Sequence, residues 1–230
     1  MKRLVTARPA LRFSLAIIWL AAAVTVAVFA QSAVGLLTDS DPVGGNTFAT
    51  AASFGGQTNT GYLSPAAQAV DTGGDGDGYE KNPTQGFALD AATAEDRDSG
   101  TNTATSCSDA GKDRHRYYDY GISIPGGATI DGIEVRIDGR VDGTGGAPHI
   151  CVELSWDGGT TWTAAKTTPT LPTVQGTLIV GTDSDTWGRV WNASTEFTNA
   201  NFRIRFTDVA SDTSRRFRVD WFALQITYTP

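Results

Sequence analysis

The sequence predicts an all-β fold: an antiparallel two-sheet sandwich, jelly-roll-like, preceded by an N-terminal signal helix. Three observations predict it. The 230 residues hold 26 Gly, 9 Pro and 31 Thr against four Lys and one Met, a composition suited to pleated, half-buried surfaces and poor in residues that cover helices. Apolar residues alternate singly with polar ones over much of the second half. No amphipathic segment of crossover length separates the alternating runs, so neighbouring strands pair antiparallel. With 40% hydrophobic and 19% charged residues the chain is too apolar for a disordered one, and helical bundles and coiled coils are excluded.

Lys2, Arg3, Arg8 and Arg12 precede an apolar run from Phe13 to Ala30, interrupted only by Ser14 and Thr25. Residues 1–30 therefore read as an export signal, with small residues at Val28 and Ala30 marking a cleavage site. A retained anchor is the alternative, because the run approaches the length of a membrane span. All 25 acidic residues follow Ala30 and four of the 18 basic ones precede it, so the exported chain carries −11. That charge disfavours nucleic acid and anionic membranes as partners, leaving the membrane to the signal segment alone.

Residues 31–60 are small and polar with isolated apolar positions, and read as an extended arm; residues 61–230 hold the sandwich. Between Leu89 and Tyr117 no Val, Ile, Leu, Met or aromatic residue occurs, which predicts a long loop over 90–116 fastened by something other than packing. Ile133, Val135 and Ile137 then alternate with charged residues, as do Ile150, Val152 and Leu154. Further strands are expected at 177–180, 187–191, 202–206 and 217–228. In the last, Phe217, Val219 and Trp221 share one parity and Phe222, Leu224 and Ile226 the other, which predicts a bulge near Trp221 to Phe222. An up-and-down barrel is the alternative architecture.

Cys107 and Cys151 lie in the exported part, where oxidation is expected, and their pairing would strap the apolar-poor loop across the outside of the sheet. In the stretch from Asp71 to Glu80 (DTGGDGDGYE), Asp71, Asp75, Asp77 and Glu80 either curl around one hard cation, for which calcium is the natural choice, or form a solvated Asp/Gly turn. The spacing is not that of an EF-hand. No other cofactor is indicated. Tyr118, Trp187 and Trp191 are candidate ligand-facing aromatics; packing in the core is their alternative. Arg203, Arg205, Arg216 and Arg218 are expected on two neighbouring strands, interleaved by Glu134, Asp138 or Glu153. His115 and His149 are the only imidazoles, no nucleophile turn or metal-protease spacing occurs, and no catalytic residue is assigned.

Residues 155–162, with Ser155, Asp157, Gly159, Thr161 and Trp162 in place, resemble the Asp-box, a structural β-hairpin turn of sialidases and other secreted β proteins. The resemblance implies that Asp157 ties down loop amides, that the glycines permit the turn and that Trp162 packs under it, without catalysis. Leu37-Thr38-Asp39-Ser40 and Gly45-Asn46-Thr47-Phe48 resemble the post-cleavage segment of TasA-like and camelysin-like matrix proteins, over residues 1 to about 50. That resemblance implies export to the cell surface or a biofilm matrix, and jelly-roll subunits that polymerise through a donated N-terminal strand.

Together these features predict a secreted or cell-surface structural protein whose arm, through Phe48 and Phe54, adds as a strand to another copy. The alternative is a carbohydrate-binding module engaging a surface polysaccharide. A hydrolase ranks third.

Overall fold

The computed structural model describes residues 56–230; the leader, the arm and its Phe48 and Phe54 lie outside the described residues. Ten strands form two five-stranded antiparallel sheets. The first sheet holds β1 (Thr58–Asn59), β3 (Ala94–Asp96), β5 (Thr129–Val141), β8 (Gly176–Thr182) and β10 (Phe217–Thr229). The second holds β2 (Ala67–Val70), β4 (Arg114–Tyr118), β6 (His149–Ser155), β7 (Lys166–Thr167) and β9 (Arg203–Val209). Their orders, β3-β10-β5-β8 and β4-β9-β6-β7, are those of a jelly roll: from β3 onward the chain crosses between sheets at every connection except β6 to β7. β2 extends the second sheet beyond β4. β1 pairs with the end of β10, so the sandwich begins before residue 61.

The alternating pattern does what period-two hydrophobicity requires. Ile133, Val135 and Ile137 on β5, Val152 and Leu154 on β6, Ile204 and Phe206 on β9, and Phe222, Leu224 and Ile226 on β10 are fully buried in one core. Each such side chain contributes roughly 1.5–3 kcal/mol by leaving water. Phe222 sits at the centre, with ring centroids 4.2 Å from Phe206 and 4.3 Å from Tyr117.

The register of β10 against β5 shifts between Val219 and Trp221, placing the bulge at Asp220, one residue before the expected site. This lets Phe217 and Val219 share the core with Phe222 and Leu224 despite their opposite parity. The bulged Asp220 is buried, and its carboxylate accepts hydrogen bonds from the amides of Asp90 and Ala91, pinning that loop to the strand.

Three expectations need correction. The segment 187–191 is not a strand. Trp187 stands at φ 57° in a turn whose amide is held by Asp185, and the apolar alternation there reflects two indoles plugging the end of the core. The 90–116 segment is not one continuous loop, because Ala94–Asp96 pairs with β10 as β3, and β4 already begins at Arg114. Its pairing is backbone-driven, so Ala-Glu-Asp carries no apolar signature. Finally, β9 and β10 lie in different sheets, so Arg203 and Arg205 form no stripe with Arg216 and Arg218. Interleaving does occur: Arg205 meets Glu153, Arg218 meets Glu95 and Arg136 meets Asp138.

Candidate functional site

Cys107 and Cys151 form a disulfide with 5.7 Å between their Cα atoms. Cys151 points to the outer side of β6 yet is fully buried, because the strapped loop covers it. Beyond the strap the chain has no large apolar residue to hold it. Instead Lys112, fully buried, donates from Nζ to the carbonyls of Asn102 (2.6 Å) and Ala210 (2.7 Å).

Where this segment enters β4 it meets the Asp/Gly loop. Gly74, at φ +57°, lies so close to the Asp113 carboxylate that no Cβ would fit, and the Asp75 amide donates to Asp113 Oδ1 at 3.1 Å. Oxygens of Asp75, Asp77 and Asp113 lie within 4.8 Å of one another, as do oxygens of Asp96, Asp98 and Asp113. Asp113 is common to both groups. Asp208 on β9 lies beneath them and accepts from the Tyr79 hydroxyl at 3.1 Å. Asp96, Asp113 and Asp208 are each at most 2% exposed; Asp113 Oδ2 has no hydrogen-bond partner, and Asp96 Oδ2 and Asp208 Oδ2 have none except each other's carboxyl when one of the two is protonated.

The electrostatics follow from that crowding. Burial, then the charge of Asp75, pushes the Asp113 carboxyl up to about 8. Burial pushes Asp208 to about 7, and burial with the neighbouring Asp75 pushes Asp77 to about 7. Asp96 is driven well above the ordinary carboxylate range by burial and by Asp208.

Of the expected cation ligands, Asp75 and Asp77 belong to this cluster, whereas Asp71 and Glu80 do not. Asp71 turns to the arginines of β4 and β9, and Glu80 pairs with Arg97 at 3.4 Å. An arginine within reach is the stronger competitor for a carboxylate at the loop's ends. The residues missed are Asp96, Asp98, Asp113 and Asp208. The Asp-x-Asp spacing of Asp75 and Asp77 recurs at Asp96 and Asp98, a signal that was present in the sequence.

Burial and the Arg116 charge lower His115 to about 4, and its ring is fixed between the Tyr79 amide on Nδ1 and Gln68 Oε1 on Nε2. His149 lies beside Cys107 and Cys151, whose sulfurs are bonded to each other.

The outer face of the second sheet is organised in rows. Arg116, Arg205 and Glu153 stand directly across from one another on β4, β9 and β6; Tyr118, Arg203 and Ser155 form the next row. Two arginines face to face repel, and here acids flank them: Asp71 lies 3.5 Å from Arg205 and 3.9 Å from Arg116, and Glu153 lies 2.7 Å from Arg205. The guanidinium of Arg205 also rests 4.2 Å from the centre of the Trp162 ring, and that of Arg203 4.1 Å from the Tyr118 ring.

Trp162 is delivered by the Asp-box-like turn. Asp157 Oδ1 accepts from the amides of Thr160 (3.1 Å) and Thr161 (2.8 Å) and from the Ser155 hydroxyl (2.9 Å), while the Gly159 amide donates to Ser155 Oγ at 2.9 Å. Gly158 and Gly159 take positive φ, as the turn requires. Of the three candidate ligand-facing aromatics, Tyr118 is half-buried on this face. Trp187 and Trp191 are not ligand-facing: 4% and 5% exposed, they donate their indole N–H groups to the carbonyls of Ile133 and Thr186. An indole's need for both apolar contact and one acceptor is met there inside the sandwich.

Two surface cavities of about 370 and 380 Å³ lie between the β4–β5 and β8–β9 connections. Both are lined by small and apolar residues around Ala193 and Ser194, and no titratable side chain lines either.

No family model and no curated protein matches the sequence. Among solved structures the chain is similar to an arabinose-bound α-L-arabinofuranosidase, MgGH51, at 12% identity and a TM-score of 0.33, over 70% of this chain and 23% of that one. It is similar to a CBM22–GH10 fragment of a Clostridium thermocellum xylanase complexed with xylohexaose, at 12% identity and 0.29, over 62% and 25%. It is also similar to a xylan-binding domain of CBM22, at 16% identity and 0.28, over 78% and 90%. The chain thus spans about a quarter of the length of the first two. At these TM-scores the likenesses give no residue of this chain a role.

Proposed function

We propose that the protein is an exported, non-catalytic module that binds a neutral polysaccharide across the outer face of the second sheet. The observation that carries this reading is the pair of rings, Tyr118 and Trp162, each backed by a guanidinium on a face whose remaining groups are fixed donors and acceptors. A sugar ring offers an apolar C–H face and a rim of hydroxyls. A backed aromatic receives the first, and Arg205 with Glu153 and Asp71 receives the second, already oriented before the ligand arrives. The exported chain's charge of −11 selects against anionic polymers, so the expected ligand is uncharged. Export itself follows from the leader over residues 1–30.

Affinity electrophoresis through gels containing soluble xylan, mixed-linkage glucan or mannan tests this. Retardation by at least one neutral polysaccharide is expected, lost in Trp162→Ala and Tyr118→Ala and retained in Trp221→Ala, whose indole lies on the opposite sheet. No retardation, or retardation indifferent to Trp162 and Tyr118, overturns the proposal.

One observation favours the self-assembling matrix reading as a second possibility. Among the described residues β8 pairs with β5 alone, leaving its other edge unpaired by them beside the exposed Ile179 and Val174. Deleting residues 31–54 and examining fibres by negative-stain microscopy tests it; fibres unchanged by the deletion remove the donor-strand reading.

A further inference from the structure

The carboxylates around Asp113 are a charge cluster without a counter-charge. Asp75, Asp77, Asp96, Asp98, Asp113 and Asp208 come from four segments of chain, and among the described residues none forms an ion pair with Lys, Arg or His. The buried cation of this region, Lys112, gives its ammonium to two carbonyls instead. Acidic groups on a surface need no such explanation, because water screens them. Asp113 is 1% exposed and keeps an oxygen that no donor reaches, and the equally buried Asp96 has only another acid, Asp208, beside its second oxygen. A buried carboxylate oxygen without a partner is costly, and several within a few ångströms are costlier still.

We propose that this cluster is a calcium site, with Asp113 the ligand shared between the Asp75/Asp77 turn and the Asp96/Asp98 turn. The donors are all carboxylate oxygens, with no thiolate and no imidazole in either group, which selects a hard cation over zinc or copper. Ligands on irregular Asp/Gly turns suit the large, variable shell of calcium better than the strict octahedron of magnesium. The site also accounts for how the long apolar-poor segment is held. The cation would tie the 71–80 loop, the end of β3 and the start of β4 to one point, beside the anchor that the buried Tyr79 already provides.

The test uses the full-length chain stripped with EGTA, with calcium chloride as the only added ligand. Titration calorimetry is expected to show saturable binding, and calcium at about 100 times its Kd is expected to raise Tm by roughly 5–10 °C. Magnesium at the same concentration is expected to give less than half that shift. Asp77→Asn/Asp98→Asn, which changes only the exposed and half-exposed ligands, is expected to fold in EGTA and to bind calcium at least tenfold more weakly. Absence of saturable binding by the native chain overturns the site, whatever the variant does. So does a double variant that folds and keeps the full calcium response.

Discussion

Asp71 and Asp75 are four residues apart and have opposite surroundings. Asp71 lies between Arg116 and Arg205 at the edge of a face where carboxylates and guanidiniums interleave. Asp75 lies on the same loop beside Asp77 and Asp113, in a group that among the described residues has no cationic side chain at ion-pair distance. The first region is a finished electrostatic structure: its charges cancel within the chain, and its order is fixed by strand register. The second is balanced only by protonation or by an added cation. The difference teaches that carboxylates in one short loop divide by what the facing strand supplies, and that the facing strand, not the loop's composition, decides which of them are free for a metal.

The largest expected effect comes from cutting the connection between the two regions. Cys107–Cys151 joins the segment leading to Asp113 onto β6, the strand that carries Glu153, across a sequence separation of 44. Replacing both cysteines by Ser is expected to cost about 4 kcal/mol of stability in the chain-entropy model, read as a lower urea midpoint. Calcium affinity should fall with it, and polysaccharide binding should fall less, because the Tyr118 and Trp162 rows are held by β4, β9 and the 155–162 turn.

Next in size is Arg205→Ala. Arg205, Glu153 and Asp71 are 15%, 13% and 14% exposed at their side chains, so removing the guanidinium leaves two mostly buried acids unpaired and uncovers one face of Trp162. A loss of about 2–3 kcal/mol is expected, below the range for fully buried pairs because some water remains. Stability should fall equally in calcium and in EGTA. A loss seen only in calcium would mean that the two regions are one electrostatic unit.

The cluster itself should invert that behaviour. Asp96→Asn keeps the oxygen that accepts from the Asp98 amide and fixes the side chain in the neutral form that burial favours. In EGTA the variant is expected to match or exceed the native chain in stability, by up to about 1 kcal/mol, since the amide is neutral without taking up a proton on folding. In saturating calcium it should be less stable than the native chain, because it has lost ligand affinity. Asp71→Asn, by contrast, is expected to destabilise in both conditions. Paired denaturant melts of the two variants, each with and without calcium, decide whether the signs differ as stated.

The fold was legible where burial alternates. β5, β6, β9 and β10 announce themselves through Ile133 to Ile137, Ile150 to Leu154, Ile204 with Phe206, and Phe217 to Ile226, and the parity change in β10 located its bulge to within one residue. β3 was not legible, because its one core residue is the small Ala94, while backbone pairing and the contacts of Lys81 and Arg218 with Glu95 do the rest. Trp187 and Trp191 misled for the converse reason: a turn can bury indoles at strand-like spacing. The carboxylate cluster was half legible, since a local Asp/Gly run names its own turn but not the remote Asp96, Asp98 and Asp113 that the topology brings to it.

The smallest expected effect concerns a carboxylate that neither arginine nor metal satisfies. Burial pushes the Asp157 carboxyl up, but the Thr161 amide and hydroxyl, the Ser155 hydroxyl and the Thr160 amide outweigh it, so it is held below the usual carboxylate range. A group whose folded value is depressed adds stability above its unfolded value, near 3.9, and loses it as the pH falls through the folded value. Asp157→Ala is therefore expected to cost about 1 kcal/mol at pH 7 and the same at pH 5, with the gap narrowing below about pH 4. Urea midpoints at pH 7, 5 and 3, with EGTA throughout, read this directly. Calcium should not change the gap, because the acceptors of the turn face amides and hydroxyls alone. A calcium-dependent gap would place a third group of carboxylates in competition for the cation and remove the distinction between internally matched and unmatched acids.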